Sequence, residues 1–164
     1  MPNPGRITNA IQSCRALGEL ARILQEQSRD LDHIHVSAAW VCLARIGAGR
    51  GAGDVTEIFA ALHDQTWDVL GQMEARNTAS VMHSISKLHQ MGERADRGLL
   101  EAMQNRATAT AGESNPQDVA NLLWGLATMG EKADRGLLEA MQKRATATAG
   151  GFNPQNVKIG RAHV

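Results

Sequence analysis

The stretch "GERADRGLLEAMQNRATATAGESNPQDV", which begins at Gly92, recurs as "GEKADRGLLEAMQKRATATAGGFNPQNV" from Gly130, a period of 38 residues. Over these 28 aligned positions only five differ: Arg94/Lys132, Asn105/Lys143, Glu113/Gly151, Ser114/Phe152 and Asp118/Asn156. A repeat of this length is one supersecondary unit that cannot bury its apolar face alone, so neighbouring copies must stack. Fainter copies lie upstream. Aligned on the closing glycines Gly47, Gly92 and Gly130, Val36, Val81, Val119 and Val157 share one column. Leu43, Leu88 and Leu126 share a second, and Ile46, Met91 and Met129 a third. The 45 residues from Gly47 to Gly92 give the first unit about seven extra.

Each unit reads as a pair of helices. In the first helix of the best copy, Val119, Leu122, Leu123, Leu126 and Met129 recur at the spacing of one apolar helical face. "SNP" is a start signal, with Pro116 in the first turn, and Gly130 suits a left-handed residue after the last turn. The second helix starts from Asp134 as N-cap and carries Leu137, Leu138 and Met141 on one face. Its end, "RATATAG", is weakly apolar and is expected to fray. The N-terminal block reads as a lone helix with a stripe of Ile7, Ile11, Cys14, Leu17, Leu20 (or Ala21) and Leu24. The longest helix is expected from about Asp54 to Met73. No run looks like a strand. The expected fold is therefore all-α, an α-solenoid of two-helix repeats with a period of 38 residues. Its divisions are a cap at 1–32, repeats at 33–76, 77–114 and 115–152, and the start of a fourth repeat at 153–157.

Composition excludes several classes. The 17 Lys and Arg balance 17 Asp and Glu, which argues against purely electrostatic binding of a polyanion but not against recognition by hydrogen bonds. Two cysteines, Cys14 and Cys42, provide neither a disulfide framework nor a four-ligand zinc site; both read as buried, inert thiols. No apolar run approaches the roughly 20 residues of a membrane span. The opening "MPNPGRITNAIQSC" shows no signal-peptide core and no clear transit peptide.

The string "NPQDVANLLWGLATMG", followed by a second helix at a 38-residue period, resembles the octotricopeptide repeats. "ITNAIQSCRALGELARIL" with "LDHIHVSAAWVCLARIG" resembles the N-terminal entry into such arrays in algal proteins. The resemblance covers about residues 6–157. It implies an RNA-binding helical-repeat protein of chloroplasts or mitochondria, acting in maturation, stability or translation of organelle transcripts. Many members end in a RAP domain, which no stretch of this sequence resembles.

The candidate RNA-reading residues are those opposite the apolar stripe of each first helix. In the third unit they are Asp118, Asn121, Gly125 and Thr128; in the second Ser80, His83, Lys87 and Gln90; in the first His35, Ala38, Cys42 and Arg45. Polar columns that vary over a constant apolar scaffold are what a one-base-per-unit reader needs. Asn and Asp address base edges, His stacks or bonds, and Arg45 and Lys87 suit phosphate. The alternatives are a merely solvated helix face, or a protein–protein scaffold of the HEAT or armadillo sort.

Other features carry less. "GAGRGAGD" (47–54) lacks the Lys-Ser/Thr of a phosphate-binding loop and any preceding strand, and reads as a loop leading to an Asp54 N-cap; Arg50 within it has the reach for a phosphate. His33 and His35 point to different faces and do not chelate. Trp40 and Trp124 read as core wedges between units, while Trp67 sits beside charged residues. No catalytic constellation, metal set or cofactor motif emerges, so an enzyme is not expected. The terminal "KIGRAHV" (158–164) puts Gly160, Arg161 and Val164 where the register demands the leucine columns. It matches a frame through a common sequencing-adapter start and is expected to be non-native read-through.

Overall fold

The computed structural model describes residues 3–48 and 52–151. The repeat-4 start, the 158–164 tail and Arg50 lie outside them. Among the described residues there are eight α-helices and no strand: α1 (Pro4–Gln12), α2 (Leu17–Glu26), α3 (His33–Gly47), α4 (Ala52–Val69), α5 (Ala75–Gln90), α6 (Arg97–Ala109), α7 (Pro116–Thr128) and α8 (Arg135–Ala147). Short 3-10 turns follow α4, α6 and α8. The odd-numbered helices pack in sequence, α1 on α3, α3 on α5 and α5 on α7; on the other side α2 meets α4 and α6 meets α8.

Local signals set the helix ends. The Asp96 and Asp134 carboxylates accept from the Leu99 and Leu137 amides at 2.7 Å, capping α6 and α8. Pro116 opens α7 with Asn115 as N-cap. Gly92 and Gly130 have φ of 103° and 69°. Beyond them Glu93 and Glu131 donate back to the Leu88 and Leu126 carbonyls, the Schellman closure that favours glycine. Gly47 differs: it lies inside α3, and its φ is not positive.

Two expectations about the ends change. The N-terminal block is two helices, not one. All six stripe residues from Ile7 to Leu24 are buried, but the chain leaves the helix at Ser13 and re-enters after an extended Ala16. The break lets α1 join the row of α3 and α2 turn back beside it. Asp54 is not an N-cap, because α4 already begins at Ala52; it lies in the first turn, where its charge suits the helix dipole.

The core follows two of the three aligned columns: Val36, Leu43, Val81, Leu88, Val119 and Leu126 are all buried, whereas in the third Met129 is buried, Ile46 half-buried and Met91 39 % exposed at the end of its helix. Trp40 is fully buried, edge-on to Phe59, with its indole N–H donating to Thr66 Oγ1 at 2.9 Å, which binds α3 to α4. Between α5 and α7 the backbones come unusually close. A Cβ at Gly125 would lie 3.0 Å from the Met82 carbonyl oxygen and 3.3 Å from its carbon. A helix-interior glycine costs about 1 kcal/mol relative to alanine, and here the close approach accounts for it.

Gly125→Ala is therefore expected to destabilise the chain by about 1–2 kcal/mol, overpacking outweighing the gain in helix propensity. Gly18→Ala in α2, where a Cβ meets nothing within 4 Å, is expected to be neutral or slightly stabilising. Denaturant midpoints check the pair; a stabilising Gly125→Ala would contradict the close approach.

Candidate nucleic-acid interface

The predicted reading residues lie on α3, α5 and α7, and the structure divides them into two groups. The first has structural work. His35 is buried: its Nδ1 accepts the Asp32 N–H at 3.0 Å, and its Nε2 lies 2.9 Å from the Pro4 carbonyl oxygen, to which it donates. Asp118 is also buried and bonds reciprocally with Asn115, Asp118 N–H to Asn115 Oδ1 at 2.7 Å and Asn115 N–H to Asp118 Oδ2 at 3.0 Å. Both are third residues of capping boxes, so they belong to helix starts and not to the solvent stripe. Gly125 and Cys42 are buried in helix packing. Arg45 is exposed, but its guanidinium donates to the Gln12 and Cys14 carbonyls at 3.2 and 3.0 Å, closing the end of α1.

The second group faces outward. Ser80 and Ala38 are half-buried in a groove of 640 Å³ between α3 and α5. Lys87 and Gln90 are exposed on α5, and Lys87 makes no ion pair among the described residues. Asn121 and Thr128 are half-buried on α7, and Asn121 Oδ1 accepts from Gln117 Nε2 at 2.8 Å. Sequence columns missed Arg76, which lines the same groove, and Asn77, which lines it too but is the third residue of a capping box, its Oδ1 accepting the Glu74 N–H at 3.1 Å. They sit on an additional turn by which α5 starts earlier, relative to its closing glycine, than α7 does. Ile34 and Val41 on α3 also line it, 48 % and 46 % exposed.

His83 links the two helices. Its ring lies 4.7 Å from the Trp124 ring at 48°, and its Nδ1 is buried without a hydrogen-bond partner. Burial, and secondarily the charge of Lys87, push its pKa down to about 4, so the imidazole is neutral near pH 7. Trp124 is half-buried against α5 rather than wedged in the core like Trp40. Trp67 is 46 % exposed on α4.

Cys14 and Cys42 are buried, and burial together with the neighbouring Cys42 pushes the Cys14 thiol up to about 11, which keeps it protonated. Among the described residues no group of three His, Cys, Asp or Glu side chains is placed to hold a metal, and no helix is long and apolar enough to cross a membrane. No model of a known protein family matches the chain, and no curated protein matches it either.

The lowered His83 pKa has a definite sign. Between about pH 4 and 6.5 the unfolded chain binds the proton that the folded chain refuses, so stability rises with pH across that window and levels above it. His89, also shifted down by burial, acts in the same direction. His83→Gln is expected to flatten this rise in urea titrations at a series of pH values; an unchanged slope would contradict the burial of the ring.

Proposed function

We propose that the helix pairs stack as an α-solenoid with a 38-residue period, and that the α3–α5–α7 row presents its outer face to single-stranded RNA. The observation that carries this reading is the division of each outer helix. Its apolar columns stay constant, while the outward positions change from Ala38 to His83 to Asn121 between successive helices. A set of changeable groups over a fixed scaffold suits recognition of successive unstacked bases. His83 and Trp124 add a ring surface on which a base can stack, and Arg76 and Lys87 supply cations for phosphate. The octotricopeptide resemblance supports the same reading and extends it to organelle transcripts, with the chain as a binding module and not an enzyme.

A second reading is favoured by Ile34 and Val41. Two aliphatic side chains about half exposed on one face of α3, beside a groove, suit an apolar peptide of a protein partner as in HEAT-like scaffolds.

A selection from random single-stranded RNA at two salt concentrations separates the two readings. RNA reading predicts an enriched sequence and a shallow salt dependence, since each phosphate contact contributes a slope of only about −0.7 and few cations line the face. Lys87→Ala is expected to weaken binding uniformly and reduce that slope by about 0.7, whereas Asn121→Ala is expected to relax the preference at one base. Failure of any sequence to enrich would remove the specific-reader proposal.

A further inference from the structure

The repeat supplies an internal control, because α6 and α8 have nearly the same sequence in different surroundings. On α6, Gln104 is 5 % exposed. Its Oε1 accepts the backbone N–H of Asp134, the N-cap of α8, at 3.0 Å, and its Nε2 donates to the Lys132 carbonyl at 3.4 Å. One junction earlier, His63 on α4 does the same for the next second helix, its Nε2 accepting the N–H of the N-cap Asp96 at 3.1 Å. At both junctions a side chain of one second helix thus takes the N-cap amide of the following one. Gln142 occupies the Gln104 position on α8 and is exposed. Beside it Leu138 is 49 % exposed, while its counterpart Leu100 is 5 % exposed under the cover of the next unit.

We infer that the outer face of α8, centred on Leu138 and Gln142, is a docking site for a further helix pair of the α7–α8 kind, held by Gln142 through the N-cap amide of the incoming second helix. The occupant follows from continuity with the α6–α8 junction, where the same residues are already covered by such a unit. A second copy of this chain fits poorly. It would have to offer α1 and α2, whose outward residues include the charged and polar Arg6, Asn9, Glu19 and Arg22 where α8 presents Leu138. The inference rests on the stacking part of the proposed function and is independent of RNA.

The test is a chain in which Ser114–Gly151 is repeated once more directly after Gly151. The extended protein is expected to unfold in one transition at a higher midpoint. Gln142→Ala is expected to lower that midpoint by about 3 °C, the effect of one net hydrogen bond, and to be silent in the parent chain. Gln104→Ala in the parent measures the same bond where it already exists. A silent Gln142→Ala in the extended chain, with Gln104→Ala effective, would overturn the inference while leaving stacking intact; silence of both would count against the stacking reading as well. Separate unfolding of the added unit, or parent-chain association abolished by Gln142→Ala, would also overturn it.

Discussion

The packing of consecutive outer helices on one another is the constraint on which the structure depends. α5 shows what it demands: held between α3 and α7, it buries nine of its sixteen residues, many of them small. Thr78, Ser84 and Ser86 are among them, and each hydroxyl donates to a carbonyl one turn back, to the N-cap Glu74, to Ser80 and to His83 respectively. Such back-bonding satisfies a buried hydroxyl without a partner on the next helix, so the neighbour can come close. Gly125 completes the approach from the α7 side. One clamp then fixes each of the last two pairs: Arg106 donates to the Met73 carbonyl and Arg144 to the Ser114 carbonyl, both at 2.6 Å. These bonds tie the ends of α6 and α8 to the starts of α5 and α7.

The same packing limits what the outer face can offer a ligand. Positions near the helix starts and at the helix contacts are taken by capping and close packing, as His35, Asp118 and Gly125 show. Polar groups between these positions stay outward. The face available for recognition is thus narrower than a helical wheel suggests, and it is centred on α5, with Arg76, Ser80, His83 and Lys87 at successive turns.

Much of this was legible in the sequence, for physical reasons. Apolar columns at helical spacing mark burial because the 3.6-residue period places them on one side. Glycine at 92 and 130 marks helix ends because a left-handed residue is needed there. What escaped was reciprocal bonding across short spans. Asp32 with His35, and Asn115 with Asp118, have capping-box spacing, yet a wheel counts the third residue as solvated. The break between α1 and α2 escaped because its residues keep helical apolar spacing through Cys14 and Leu17. The role of Arg45 depends on carbonyls more than thirty residues away, which no local pattern reveals.

The most direct measurement of the proposed RNA-binding face is ultraviolet crosslinking of bound single-stranded RNA, with the attached residues located by mass spectrometry. Crosslinks are expected on the outward positions of α5 and α7, at His83 and Trp124 above all, and in the groove beside α3. Crosslinks confined to α4, α6 and α8 would contradict the assignment of the outer row as the RNA-binding face.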